Sequence, residues 1–355
     1  MDEFCKSKNL NTLLTKLLIY LLIGTSFTLV NPVFADDRQG LSESCIDKYL
    51  SDDDSVLTIC LEEAKQGNPR VQSILGALYK FGTSAPQDYK QAFYWFSKSA
   101  EQGDFLSQFH LGVAYSQGRG TPQDYKQAFY WFSKSADQGH STAQNNLGNA
   151  YDYGRGTPQD YKQALYWYTK SAEQGDSSAQ LNLGFSYDEG RGTPQDYKQA
   201  LYWFTKSAEQ GHSTAQLKLG LSYAEGLGAP QDYKQALYWY TKSAEQGQST
   251  AQYNLGFSYA EGRGTPQDYK QALYWYTKSA EQGDSSAQFN LGIVYGNGWG
   301  APKNYVLAYV WSNIAAAQGA EGAAKNRDFF EKQMSREQIA EAQKLSTEYY
   351  EKYVK

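Results

Sequence analysis

Apolar positions along most of this chain repeat at two scales, one of a helix turn and one much longer. Within Ala143–Ser178, the residues Ala143, Leu147 and Tyr151 fall at i, i+4 and i+8, a single stripe of a helix. Gly148 lies beside that stripe, where a missing side chain admits a neighbouring helix. Gly154 and Gly156 mark the end of this first helix. After Pro158, Asp160 stands three residues before Gln163, the pattern of a capping box. The second helix, YKQALYWYTKSAEQ, turns Ala164, Trp167, Tyr168, Ser171 and Ala172 inward, and Gly175 closes it. Such a helix–turn–helix cannot bury its apolar face alone and needs neighbours stacked on it.

The neighbours are present in the sequence. Trp95, Trp131, Trp167, Trp203, Trp239, Trp275 and Trp311 recur every 36 residues without a slip, and the string TPQDYKQA returns verbatim from Thr121, Thr157, Thr193 and Thr265. A length of 355 residues alone would suggest two or three domains; the periodicity predicts one all-α, α/α superhelical solenoid. Seven 36-residue helix–turn–helix repeats occupy 71–322, between an N-terminal capping helical hairpin at 36–70 and a C-terminal capping helix within 323–355. In that last segment Ser335–Val354 reads as a helix with Glu337, Glu341, Lys344 and Glu348 turned outward.

The first 35 residues differ from the rest. Lys6, Lys8 and Lys16 precede the uncharged apolar run Leu17–Val30, and Val33-Phe34-Ala35 offers small residues before Asp36. This layout predicts a signal peptide at 1–35, with an uncleaved membrane anchor as the alternative. The run is short for a spanning helix. The remainder is expected to be periplasmic or secreted, with no membrane association once the signal is removed. Its loss would also remove Cys5 and leave Cys45 and Cys60, an even pair that in an oxidising compartment favours a disulfide. Both flank the Ser51–Asp54 turn of the predicted N-terminal hairpin, so a structural staple is expected; a redox-active pair is the alternative, and nothing basic surrounds either thiol.

Composition narrows the function. Lys+Arg number 33 against 38 Asp+Glu, a net charge of −5, which argues against nucleic acid as a partner. With 3 His and 3 Cys in the whole chain, a metal site or a Cys/His nucleophile has little to be built from. His140 and His212 occupy one turn position two repeats apart, and His110 stands alone in a first helix. The Gly-x-Gly elements recur in six of the seven units as helix breakers and carry no dinucleotide signal. No catalytic residue, metal ligand or cofactor is therefore assigned, and the chain is read as a non-enzyme.

The recurring unit AQ-x-x-LG-x-x-Y-x-x-G-x-G-x-P-x-D-Y-x-x-A-x-x-W-[YF]-x-K-x-A-E-Q-G resembles the Sel-1-like repeat, a relative of the tetratricopeptide repeat. The closing WSNIAAAQGA and SREQIAEAQKL also resemble the C-terminal cap of bacterial members. The resemblance implies an α/α superhelix acting as an adaptor for protein partners, often in cell-envelope or host-contact settings. A branch with a disulfide in each repeat has been linked to β-lactam binding; this chain has no Cys after Cys60 and departs from it. Members of endoplasmic-reticulum degradation machinery also resemble it but carry an anchor and other modules that are not expected here.

Comparing the units with one another separates scaffold from variable surface. Leu147, Gly148 and Tyr151 keep their identity in all units, whereas the third and seventh positions vary and share another face of the first helix. Most of these are apolar: Phe109, Val113, Leu181, Phe185, Leu217, Leu221, Tyr253, Phe257, Phe289 and Ile293. By analogy with tetratricopeptide geometry they line the concave side and bind a protein partner; the alternative is that they pack between successive first helices as core. Asp152, Asp188, Glu189, Glu225 and Glu261 form a row that either steers a basic segment or is a solvated face. Arg119, Arg155, Arg191 and Arg263 are expected to pair with acids or loop carbonyls. Trp299 replaces that arginine in Asn297-Gly-Trp-Gly300, as a binding hot spot or a packing variant. Repeated Tyr166-Trp167-Tyr168 triplets leave glycan or cell-wall binding as an alternative, and a structural spacer as another.

Overall fold

A computed structural model describes Cys45 and residues 56–354; the expected signal peptide and the first helix of the expected N-terminal hairpin lie outside these, apart from Cys45. Among the described residues there are seventeen helices and no strand, an all-α solenoid. After α1 (Val56–Lys65), the first helices of the pairs are α2 (Pro69–Phe81), α4 (Phe105–Gln117), α6 (Ser141–Tyr153), α8 (Ser177–Glu189), α10 (Ser213–Glu225), α12 (Ser249–Glu261) and α14 (Ser285–Asn297). The second helices are α3 (Tyr89–Glu101), α5 (Tyr125–Asp137), α7 (Tyr161–Glu173), α9 (Tyr197–Glu209), α11 (Tyr233–Glu245), α13 (Tyr269–Ala280) and α15 (Tyr305–Ala317). Two further helices follow, α16 (Ala323–Glu331) and α17 (Arg336–Tyr353). The chain divides into two compact units at Gln174 and Gly175.

The first helices all end, and the second helices all begin, by the same chemistry. Gly154 ends α6 in the left-handed region at φ 65°, its N–H donating to the Ala150 carbonyl. Asp160 begins α7, its carboxylate accepting from the Lys162 and Gln163 N–H groups at 2.9 and 3.0 Å. The reciprocal half of the expected capping box is absent. The Asp160 N–H already donates to the Tyr151 carbonyl at 2.9 Å, and the Gln163 side chain stays exposed. The same bond joins Asp88 to Tyr79 and Asp232 to Tyr223. A complete box does form at Ser335 and Gln338, at the start of α17.

The glycine that recurs in the first helices is a socket for a ring in six of the seven pairs; in the last, Gly292 faces Ser312 instead. A Cβ on Gly148 would lie 2.6 Å from the Tyr168 ring, and one on Gly184 would lie 2.5 Å from that of Phe204. Tyr168 and Phe204 are almost wholly buried. Gly156 serves approach rather than helix termination: a Cβ there would run into the Tyr125 carbonyl of the preceding second helix.

Polar bonds inside the stack repeat with equal regularity. The buried Gln144 donates from Nε2 to the Ala136 carbonyl of the preceding pair at 3.1 Å. Its own Oε1 accepts from Gln174 Nε2 at 2.7 Å, so one side chain ties three helices together. Fully buried Ser171 donates to the Ser141 carbonyl at 2.8 Å, closing the pair α6–α7. Gln216 and Ser243 make the same bonds in the second unit.

The ends are fastened differently. Cys45 and Cys60 form a disulfide, with Cα atoms 5.0 Å apart and both residues buried. At the other end Trp311 lies between Tyr349 and Tyr353 of α17, with ring centroids 5.3 and 5.9 Å away. Gly296 leaves room for the buried Phe330 of α16. The four polar residues Glu337, Glu341, Lys344 and Glu348 are exposed on α17.

Candidate functional site

The variable positions of the first helices are half-buried. Phe109, Val113, Phe185, Leu221, Tyr253, Phe257, Phe289 and Ile293 are each partly exposed, while Leu181 and Leu217 keep only 7% of their surface. Three aromatic members rest on the ring that fills the glycine socket. Phe185 meets Phe204 edge-on at 5.5 Å, Phe109 lies 6.2 Å from Phe132, and Tyr253 lies 5.9 Å from Tyr276. These side chains thus belong to the core on one edge and face outward on the other. Lys218 lies over the Phe185 ring and Arg263 over that of Phe257, at 4.9 and 4.7 Å.

A second set of exposed rings lies on the second helices. Tyr94, Tyr130 and Tyr166 in the first unit, and Tyr202, Tyr238 and Tyr274 in the second, are about half exposed, with Tyr166 at 48%. Each stands edge-on against the tryptophan that follows it, as Tyr166 does on Trp167 at 5.0 Å. The lysine one turn later lies over the ring, 4.7 Å away for Lys170 and 5.8 Å for Lys242. The Tyr166-Trp167-Tyr168 triplet is therefore split: one ring outside, one at the boundary and one in the core. Helix geometry explains the split, since successive residues are turned about 100° from one another.

The arginines of the Gly-x-Gly loops find rings more than acids. Arg119, Arg155 and Arg263 lie over Tyr89, Tyr125 and Tyr233 at 5.3, 5.8 and 5.5 Å, each ring belonging to the preceding pair. Arg191 pairs with Glu189 at 3.0 Å, as expected. Trp299 takes the arginine position and stacks on Tyr269, with centroids 4.8 Å apart and 40% of its surface open. The acidic row is uneven: Asp152 is buried beside the Tyr168 hydroxyl, whereas Glu189, Glu225 and Glu261 are exposed.

His140 and His212 are the N-cap residues of α6 and α10, and the Ala143 N–H donates to His140 Nδ1 at 3.3 Å. His110 has company that its position in the sequence did not reveal. It packs against Phe96 with centroids 4.7 Å apart, and its Nδ1 lies 3.3 Å from Lys80 Nζ on the preceding first helix. Burial and the Lys80 charge hold the His110 imidazole well below the usual histidine range. Burial, reinforced by Arg119, brings Lys80 down to about 8. Among the described residues no group of three His, Cys, Asp or Glu side chains gathers as a metal ion requires, and no helix is long and apolar enough to cross a membrane.

The Sel1 repeat matches seven consecutive segments, 69–104, 106–140, 141–176, 177–212, 213–248, 249–284 and 285–319. The fold is similar to that of a Sel1 repeat protein from Oxalobacter formigenes, with a TM-score of 0.63 and 35% identity over 77% of this chain and 79% of that one. It is also similar to c5321, a protective antigen of uropathogenic Escherichia coli strains with the same kind of fold. There the TM-score is 0.53 and the identity 32%, over 84% of this chain and 80% of that one. No curated protein matches the chain.

Proposed function

Because the chain belongs to the Sel1 repeat family, whose members are in general protein-interaction adaptors, we propose that it is a non-catalytic scaffold holding a protein partner along the variable face of its first helices. The observation that carries this reading is the half-buried aromatic ladder. Phe109, Phe185 and Tyr253 are each braced on an internal ring, so little side-chain freedom is left to lose on binding. Rigid, partly open aromatic residues are the usual anchors of protein interfaces. Their variation from unit to unit gives each repeat a different contact, as a sequence-specific partner requires. We place the scaffold in the cell envelope or outside the cell, on the signal-like pattern of residues 1–35 and the Cys45–Cys60 disulfide.

The exposed tyrosines of the second helices favour a second reading, glycan or cell-wall binding, in which Tyr202, Tyr238 and Tyr274 stack on sugar rings. Cross-linking capture from whole cells and culture fluid separates the two. One bait carries Phe185→Ser, Phe257→Ser and Phe289→Ser; another carries Tyr202→Ser, Tyr238→Ser and Tyr274→Ser; both are checked for fold by circular dichroism. A protein captured by wild type, lost with the first bait and kept by the second, is the expected result. A partner unaffected by the first bait would exclude the first-helix face. Binding of soluble peptidoglycan fragments that is lost only with the tyrosine bait would replace the scaffold reading by the second.

A further inference from the structure

The junction of the first two helix pairs departs from the repeat at two positions. Lys80 occupies a position held elsewhere by Ser116, Asp152, Asp188, Ala224, Ala260 and Gly296. His110 occupies one that is Asn in four other repeats, among them Asn146 and Asn254. Among the described residues, two basic residues meet across a junction here alone, with Lys80 Nζ and His110 Nδ1 at 3.3 Å. Both line a cleft with Arg119, whose described lining contains no carboxylate and whose walls are the apolar Phe93, Phe96 and Val113.

An ammonium has only donors, so His110 Nδ1 accepts from Lys80, and the imidazole proton sits on Nε2. That leaves the other Lys80 donors and the Arg119 guanidinium unanswered by any acid in the lining. We infer that this cleft is a carboxylate-binding site, in which Lys80 and Arg119 hold the acidic side chain of a protein partner and His110 positions the ammonium. Two neighbouring cationic donors match the two oxygens of a flat carboxylate, and the apolar walls suit the methylene stem behind it. Tyr89 and Gln117 complete the polar lining, and inorganic phosphate is the competing anion in the test below. The source of the carboxylate rests on the scaffold reading; the site itself does not.

The test is a titration of the folded protein with N-acetylglutamate and, separately, with inorganic phosphate, followed by NMR at the His110 ring nitrogens and at the Lys80 side chain. The expected result is a saturable shift with N-acetylglutamate and a rise of the Lys80 titration midpoint in the bound state. Affinity should fall about tenfold in Arg119→Gln and in Lys80→Met, the loss of one charge-assisted hydrogen bond each. His110→Asn, which installs the residue of other repeats and so keeps the fold, should weaken binding by less and move the Lys80 midpoint. Absence of saturation with N-acetylglutamate overturns the inference. So does tighter binding of phosphate, or an affinity untouched in the folded Arg119→Gln variant. A scaffold that captures no protein partner would leave this titration unchanged, so the two readings fail separately.

Discussion

Replacing Gly148 by alanine isolates the fit of ring into helix. Judged by helix propensity alone, the change stabilises α6 by about 0.5–1 kcal/mol, because alanine loses less backbone freedom than glycine. The packing opposes it. The new methyl would lie 2.6 Å from Cδ1 and Cε1 of Tyr168, about 1 Å inside ordinary contact. The ring cannot slide freely, since Tyr168 is buried and its hydroxyl donates to Asn149 Oδ1 at 2.8 Å. Overpacking of this kind costs about 1–3 kcal/mol, so the net expectation is a destabilisation of about 1–2 kcal/mol. Amide exchange of α6 and α7 reads it locally, as opening of one pair in a stack depends on its own stability and its two interfaces. In a Tyr168→Leu background the clash is gone, and Gly148→Ala should then stabilise. A single variant more protected than wild type would refute the socket, and so would a variant whose effect is the same in both backgrounds.

Loss of the disulfide in Cys45→Ser/Cys60→Ser, which closes a separation of 15 residues, should cost about 3 kcal/mol at the N-terminal end and speed amide exchange in α1 and α2; unchanged protection of α1 would contradict the staple. Gln144→Leu removes its bonds to Ala136 and from Gln174, but Gln174 keeps the Lys170 carbonyl at 3.3 Å and the Ala136 carbonyl keeps the Gly139 N–H. The expected cost is about 1–3 kcal/mol, read by urea denaturation. Lys80 titrates near 8 in the folded chain against an ordinary 10.5, so the unfolded chain binds more protons between those values. Its burial thus penalises folding below pH 8, and the penalty lifts as pH rises towards 10.5, by at most about 3 kcal/mol. Wild type should gain stability over Lys80→Met across that window; parallel pH profiles would show that the lysine is not desolvated.

The period of 36 made the helix pairs, the glycine beside the Ala143–Leu147–Tyr151 stripe and the inward face of the second helix legible, because each depends on local spacing. What escaped depends on atoms that the fold brings from another repeat. Gln163 sits correctly for a capping box, yet the donor it would answer is taken by Tyr151, nine residues before Asp160. The ring under Arg119 is Tyr89, and the partner of His110 is Lys80, each 30 residues away. Gln144 is one of the two letters that open every unit, but nothing in its type announces that it is buried among three helices. The first-helix ladder posed a choice between groove and core, and Phe185 packs one edge on Phe204 as core while the rest of its ring stays open.

Repetition also shapes where recognition can arise. The Gly148 socket inside a pair and the Gln144 bond to the preceding pair recur in most repeats, so any single repeat offers a ligand little that the others do not. Discrimination must come from positions that vary without loosening the stack. Phe109, Phe185 and Tyr253 of the ladder qualify, since each leans on an aromatic ring, Phe132, Phe204 or Tyr276. Trp299 qualifies too: exchanging the arginine for an indole keeps the stack on Tyr269 while removing a positive charge from that loop. Lys80 and His110 are the opposite kind of variation. They add charge at a buried junction, where desolvation works against them, and no acid in the cleft offsets it. A destabilising pair at one junction of an otherwise regular stack has a reason if an anion from outside completes it.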